Sequence, residues 1–334
     1  MEGRPASSSS LNALIVGLGQ IGSKLDAASH SKTRSLTHAS AFRMDNRVEL
    51  LGGVDSDSEN RKTFETSFQS KSFASLQEFA ESTKAPLDIA SIAVPTPMHA
   101  KVFDEVAKLN PRLIILEKPI GATLEQSREI TEKAKALKIP LLINYMRRFE
   151  PGSREVGMRL QRGDLGTIFK GVVFYSKGLL NCGSHFFDLL SFWLGDATRF
   201  QVLNPHPERL TECDGEPDVL VHFGNVPIYF LSGQEENYSL RDIEILGEKG
   251  KVSYLRGGDQ IEWIPAEDFA LFPGYRILKR SGETIPTDFE VYQKHVLDAA
   301  IHYLNTGAGE ELRAGVESAL KTSEWIERIL KECR

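Results

Sequence analysis

Between Leu11 and Arg148, short uninterrupted apolar runs alternate with segments whose apolar residues recur at helical spacing. Such runs fit strands buried on both faces, as in a parallel sheet covered by helices, and the alternation predicts a doubly wound α/β unit. The expected strands are residues 12–16, 48–55, 88–94, 112–117 and 140–145, and the expected helices include 76–82, 99–109 and 124–137. In the last of these, Leu124, Ile130, Ala134 and Leu137 mark one face while Glu125, Arg128, Glu129 and Lys133 fall elsewhere, the stripe that a sheet-covering helix requires.

After Pro151 the texture changes. A helical stretch at 153–161 and a Gly-Asp-Leu-Gly turn lead into alternating segments at 167–175, 218–223, 227–232, 239–246 and 251–255, the pattern of antiparallel strands. They are interrupted by helix 184–194, with Phe186, Leu189, Leu190 and Trp193 on its buried face, and followed by helices at 289–304 and 311–332. The expected fold class is thus an α/β Rossmann-type doubly wound parallel sheet, followed by an α+β domain with a large, mostly antiparallel sheet. The expected domains are 11–150 and 151–334, after a flexible, serine-rich tail of residues 1–10. An antiparallel sheet has one face left over from its helices. Val221, Phe223, Ile228, Phe230, Ile243 and Ile245 are the candidates for that face, which would make the protein a homodimer or homotetramer through its C-terminal sheet.

Composition narrows the function classes. With 41% hydrophobic and 26% charged residues the chain has material for packed cores. Its net charge of -6 provides no attractive field for nucleic acid or anionic membranes. Cys182, Cys213 and Cys333 form no metal-spaced pattern, so no metal is expected and a reduced, cytoplasmic setting is. The first ten residues lack the basic start and apolar run of a secretory signal, and no stretch reaches the roughly 18–20 apolar residues of a membrane span.

The first strand runs directly into Gly17-Leu18-Gly19-Gln20-Ile21-Gly22. In a Gly-x-Gly-x-x-Gly turn after a strand, the first glycine makes the tight turn, the second lets backbone approach a pyrophosphate and the third allows close helix packing. Asp55, at the end of the next strand, places a carboxylate where adenosine ribose hydroxyls bind, which favours NAD; nearby Arg61 keeps NADP as the alternative. About thirty residues separate Gly22 from Asp55 where roughly twenty is usual, so an insertion of some twelve residues is expected within 26–37, as a polar loop.

Three further segments carry a likeness. They are Glu117-Lys118-Pro119 at a strand end, the run from Asn144 to Pro151 at the next, and Gly183-Ser184-His185-Phe186-Phe187-Asp188 in the second domain. With Pro95-Thr96-Pro97-Met98-His99, they resemble the glucose–fructose oxidoreductase/inositol dehydrogenase/MocA family over nearly the whole chain. The resemblance implies a nicotinamide-dependent oxidoreductase that transfers a hydride between cofactor and a hydroxyl or keto carbon of a sugar, polyol, sugar acid or nucleotide sugar. Lys118 would stabilise the developing alkoxide and His185 would act as acid/base. Cofactor contacts are expected from Gly17, Gly19, Gln20, Ile21, Gly22, Asp55, Pro95, Thr96, His99, Glu117 and Lys118, and substrate contacts from Lys118, Tyr145, Arg147, Arg148, Lys177, Asn181 and His185. Pro119 is expected to shape the Lys118 turn, with a cis bond open to it.

One position departs from the family pattern: Asn181 stands where members commonly carry an aspartate. Asparagine can bond a substrate hydroxyl but carries no proton, so a non-catalytic dinucleotide-binding regulator stays open, as does a lyase or hydrolase that uses NAD transiently. Asp188, one helical turn after His185, is expected to brace the local structure.

Overall fold

The computed structural model describes residues 10–27 and 33–334, apart from the Ala314 side chain. The expected tail, except Ser10, and part of the expected insertion lie outside the described residues. The chain forms two units, the first running to Asn144 and taking up 290–316, the second made of 145–289 and 317–334.

In the first unit the strands are β1 (Leu11–Val16), β2 (Val48–Val54), β3 (Ser72–Phe73), β4 (Ile89–Ile92), β5 (Leu113–Leu116) and β6 (Leu141–Ile143). All neighbours pair in parallel, in the order β3-β2-β1-β4-β5-β6. The apolar runs are the cause: Leu14, Ile15, Ile89, Ile92, Leu113 and Ile114 are wholly excluded from solvent, as strands covered on both faces must be. The helices are α1 (His38–Met44), α2 (Ser58–Phe68), α3 (Leu76–Ser82), α4 (His99–Ala107) and α5 (Leu124–Leu137). Thr123 caps α5, its hydroxyl accepting from Gln126 N–H. The two-residue β3 is too short to show an apolar pattern. The strand order reverses between β1 and β4, and in open α/β sheets ligands bind at that point beyond the strands' carboxyl ends.

The second unit holds α6 (Pro151–Gln161), β7 (Ile168–Tyr175), α7 (Ser184–Leu194), β8 (Ala197–Asn204), β9 (Asp218–Phe223), β10 (Val226–Ser232), β11 (Arg241–Gly247), β12 (Gly250–Leu255), β13 (Gln260–Asp268), β14 (Arg276–Leu278) and β15 (Glu283–Ile285). The strands form one sheet ordered β14-β13-β12-β11-β7-β10-β9-β8, with β15 on β13, and the β7–β10 pair is parallel where the others are antiparallel. Strands β8, β13, β14 and β15 fall outside the expected set. The edge strand β8 is exposed at most positions, so its polar residues hide the period, and β13 carries Pro265 within its run, a signal against a strand. With three residues each, β14 and β15 are too short to display a period at all.

The domain boundaries differ from expectation in two ways. The first unit ends at Asn144 rather than 150, and α8 (Tyr292–Thr306), with the start of α9 (Glu310–Glu332), returns to it. Burial explains the return: α8 spends its apolar face on the first unit, covering Val296, Leu297, Ala300 and Ile301, while Tyr292 Oη donates to Leu36 O at 3.1 Å.

The expected free face of the large sheet is also corrected. Val221, Phe223, Ile228, Phe230, Ile243 and Ile245 are at most 1% exposed and form one core with α6, α7 and the end of α9. The opposite face carries Val172, Phe174, Tyr229 and Leu231, brought side by side by the β7–β10 register, with Phe174 and Tyr229 exposed. Among the described residues, no helix is long and apolar enough to cross a membrane.

Candidate active site

The glycine turn follows β1 as its sequence requires. Gly17 has φ +97, and a Cβ on it would lie 2.6 Å from Ala93 backbone; one on Gly22 would lie 2.0 Å from Gly17 O. Gly19 differs, because a Cβ there would meet nothing within 4 Å. The N–H groups of Gly19, Gln20 and Ile21 have no acceptor among the described residues. Open space above Gly19 beside such donors suits the pyrophosphate of a dinucleotide. Gly19→Ala is therefore expected to leave the melting temperature within about 1 °C of wild type while weakening dinucleotide binding at least tenfold, whereas Gly22→Ala lowers both; thermal unfolding and fluorescence titration separate the two.

Asp55 stands at the tip of β2 and is tied to the turn, its Oδ2 accepting from Leu18 N–H at 2.8 Å and Asn60 Nδ2 at 3.0 Å. Arg61 gives its guanidinium to the carbonyls of Asp55 and Ser56, at 2.8 and 3.0 Å. Pro95 is exposed and Thr96 half-buried, on a short turn just past β4.

The insertion interrupts the helix that a glycine turn normally starts. Among the described residues, a single 3-10 turn, Lys24–Asp26, follows Gly22, and residues 28–32 lie outside them. The buried Asp26 carboxylate closes the excursion, accepting from Leu36 N–H at 2.8 Å and Thr37 Oγ1 at 2.6 Å. Thr37 then starts α1 in a capping box with Ser40, and the His38 and Ala39 N–H groups donate back to Ile21 O and Gly22 O at 3.2 and 3.0 Å. The helix resumes on the hydrogen-bond acceptors it had left behind.

Glu117, Lys118 and Pro119 leave the carboxyl end of β5, and the Lys118–Pro119 bond is cis. His99 is buried with Nδ1 on Pro119 O and Ile120 O and Nε2 on Val94 O, at 3.0, 3.1 and 3.0 Å. Its ring braces the turn and has no polar atom left for a cofactor, which corrects the expected cofactor contact. Glu117 Oε1 meets His38 Nε2 at 2.8 Å and also Asn144 Nδ2. Burial works against its charge. The hydrogen bond and pull of the His38 ring, the Asn144 amide and the Lys118 charge outweigh burial and hold Glu117 below the usual carboxylate range. The buried Oδ1 of Asn144 has no partner among the described residues, so it offers an acceptor at the tip of β6 to a ligand N–H or O–H.

In the second unit a π-helical turn, Gly178–Gly183, leads into α7 and presents His185, which is 9% exposed. Tyr145 packs edge-on against its ring, centroids 5.6 Å apart, and burial pushes the Tyr145 hydroxyl's pKa up. Asn181 is exposed, and the backbone N–H groups of Leu180 and Asn181 donate to Asp214 at 2.8 and 3.0 Å.

The cations expected at the substrate are engaged elsewhere. Arg148 is buried in a bidentate pair with Asp188, both bonds 2.9 Å, and Ser318 Oγ joins it. Burial pushes the Asp188 carboxyl up, and the Arg148 charge with the Ser318 and Arg148 hydrogen bonds offsets part of this. Asp188 is thus the brace that its place after His185 suggested. Arg147 donates to Gly257 O at 3.2 Å and lies over the Phe186 ring, while Lys177 pairs with Glu235 at 2.9 Å. Hydrogen bonds from Ser176 and then Lys177 pull Glu235 down to about 2. Arg148→Ala is expected to destabilise the protein by about 3–5 kcal/mol, since it strands a buried carboxylate; urea unfolding measures this, and a raised KM at unchanged stability would show a substrate role instead.

His38 and Gln293 are not legible in the sequence as site residues. Nothing in the pattern marks a histidine after an insertion or a glutamine 149 positions beyond Asn144 as neighbours of Glu117.

Residues 11–145 match the model of the oxidoreductase family with an NAD-binding Rossmann fold. The scyllo-inositol 2-dehydrogenase (NAD(+)) of Bacillus subtilis is 28% identical over 123 residues, 33% of this chain and 36% of its own. D-apiose dehydrogenase of Paraburkholderia graminis is 25% identical over 183 residues, 49% of this chain and 48% of its own. These matches span about a third to a half of the relatives' lengths. Over nearly whole chains, the WlbA dehydrogenase of Bordetella pertussis, solved with NADH and UDP-GlcNAcA, superposes with a TM-score of 0.70 at 20% identity, covering 97% of each chain, a likeness of fold. With the glycine cradle, the β1–β4 switch point and the Glu-Lys-Pro turn in place, residues 11–145 match the NAD-binding Rossmann domain of the Gfo/Idh/MocA oxidoreductase family.

Proposed function

We propose that the protein is an NAD-dependent dehydrogenase acting on a hydroxyl or keto carbon of a sugar or polyol. The observation that carries this is the Glu117-Lys118-cis-Pro119 turn at the tip of β5, in the same sheet as a glycine cradle whose open position is Gly19. The relatives support it by name, as a scyllo-inositol and a D-apiose dehydrogenase. When bound, the nicotinamide supplies the hydride acceptor or donor. The chain's own residues do the rest: Gly19, Gln20 and Ile21 N–H groups hold the pyrophosphate, and Asp55 takes the ribose hydroxyls. Lys118 stabilises the substrate oxygen as charge develops on it, His185 takes or returns the proton, and Asn181 orients a neighbouring hydroxyl.

NAD is favoured over NADP because the Asp55 carboxylate opposes a 2′-phosphate, while Arg61 is engaged by two carbonyls. An anionic substrate is less favoured than the sequence suggested, with Arg148, Arg147 and Lys177 all engaged within the second unit. Self-association is assigned to the sheet face of Phe174 and Tyr229, and light scattering that returns a monomer at micromolar concentration would refute it. The three free cysteines favour a reducing, cytoplasmic setting.

The test is direct. Native mass spectrometry of the purified protein looks for retained NAD or NADP, and a panel of polyols, sugars and sugar acids is screened for NADH formation. Sustained NADH formation supports the reading. Retained NAD with substrate turnover but no net redox would favour the lyase or hydrolase, and NAD binding without turnover would favour a regulator, the reading that Asn181 keeps open.

A further inference from the structure

The cations that the sequence marks for the substrate are engaged, but another arginine of the second unit, Arg241, is not. It begins β11, where residues alternate between faces, so it shares the face of Ile243 and Ile245, the one that α6 and α7 cover. Its register partner on β7 is the buried Tyr175, and a Cβ on Gly183 would lie 3.4 Å from that ring. Gly183 stands between Asn181 and His185, so Tyr175 links the strand position of Arg241 to the segment that carries both. Arg241 also lines the turn between β12 and β13. Gly257 there has φ +74, and the point where its Cβ would sit lies 3.1 Å from Arg147 Nη2 and 3.6 Å from Arg241 Cδ. Two arginines thus converge on one glycine, and Arg147 also lies over the ring of Phe186, the residue after His185.

Neither arginine has an ion pair among the described residues. Arg147 donates to Gly257 O, whereas Arg241 has no side-chain hydrogen bond among them and its Nε is shut away from solvent. The residue is half-buried, and its Nη atoms, unlike Nε, are not shut away. The neighbouring carboxylates are spent on backbone: Asp242, on the opposite face, accepts from Arg256 N–H at 2.6 Å, and Glu150 accepts from the N–H groups of Gly152, Ser153 and Asp288.

We infer that Arg241 is a specificity-determining residue of the proposed dehydrogenase, whose Nη edge receives an oxyanion of the substrate, a carboxylate or a phosphate, beside the segment of Asn181 and His185. Two like charges held together without a carboxylate cost free energy that a ligand anion offsets, and a guanidinium edge takes two oxygens of such a group at once. The engaged cations counted against an anionic substrate; Arg241, which no local signal marks, supplies the charge they do not. The substrate role rests on the dehydrogenase reading, whereas anion binding does not.

The test therefore reads binding first. The full-length protein is titrated calorimetrically with a panel of uronates and sugar phosphates, each beside its neutral counterpart, the uronamide or the free sugar. At least one anion is expected to bind tenfold or more tighter than its counterpart, and which kind does so identifies the oxyanion. Arg241→Gln is expected to weaken that anion about 10–100-fold, the scale of hydrogen bonds to a charged group, and the neutral counterpart less than about twofold. Arg241→Lys, which keeps the charge but not the fork, recovers part of the loss. Because the guanidinium makes no bond within the described chain, Arg241→Gln should melt within about 2 °C of wild type. In turnover, KM for the anion should rise in the same variant with kcat nearly kept. Neutral counterparts that bind as tightly as every anion overturn the inference, as does unchanged anion affinity in Arg241→Gln. A glutamine variant that fails to fold also overturns it, since the guanidinium is then structural. Anion binding through Arg241 in a protein that forms no NADH keeps the subsite and removes the dehydrogenase reading alone; NADH formation from neutral sugars with no anion preference does the reverse.

Discussion

Replacing Lys118 with alanine is expected to lower turnover about 10²–10³-fold while the NAD dissociation constant stays within about twofold, the loss typical of one preorganised donor aimed at a developing oxyanion. In the proposed role the ammonium would act on charge that exists only in the transition state, so kcat and kcat/KM should fall together. Lys118→Arg is expected to recover little, because a planar guanidinium on the short turn between Glu117 and the cis Pro119 presents its donors at a different depth. Steady-state kinetics with fluorescence titration of NAD checks this. An equal fall in NAD affinity would make Lys118 a cofactor ligand rather than a catalytic group.

Replacing His185 with alanine should cost about 10²–10⁴-fold, the range for a positioned general base or acid, and should change the shape of the pH profile. In alcohol oxidation the active form is the neutral imidazole, so kcat/KM of the wild type rises as pH increases through the histidine's pKa. In ketone reduction the protonated form is active and the slope reverses. Both limbs should vanish in His185→Ala and in His185→Gln, since an amide can bond a hydroxyl but cannot carry its proton. Tyr145 packs edge-on against the ring, and position 181 holds an amide rather than a carboxylate, so Tyr145→Leu should lower kcat through a looser imidazole without removing either limb. A His185→Ala variant that keeps the wild-type profile would end its assignment as acid/base.

Much of the first unit is legible because its signals are local. Five strands buried on both faces leave near-continuous apolar runs, and the glycines at 17, 19 and 22 are demanded by backbone approach within a few residues or by the room a ligand needs. The Glu-Lys-Pro turn is equally local. Cations read the same way misled, because Arg148 looks available at a strand end until Asp188, 40 residues on, and Ser318, 170 residues on, are seen to take it. Likewise the six apolar residues of β9, β10 and β11 alternate as a free sheet face would, and period two cannot say which face the helices cover.

Local signals alone specify the alternation of β and α elements and the glycine turn, while it is the resemblance carried by the Glu-Lys-Pro and Gly-Ser-His segments that proposes Lys118 and His185 as the groups with chemistry to offer. Long-range packing settles the rest: that α8 belongs with the first unit, that the insertion splits the helix after the glycine turn, and that His38 and Gln293 gather around Glu117. The difference is one of range. Backbone conformation and burial period are written in neighbouring residues, whereas the partner of a buried polar group is chosen by which distant segment packing brings within hydrogen-bonding distance, about 3 Å.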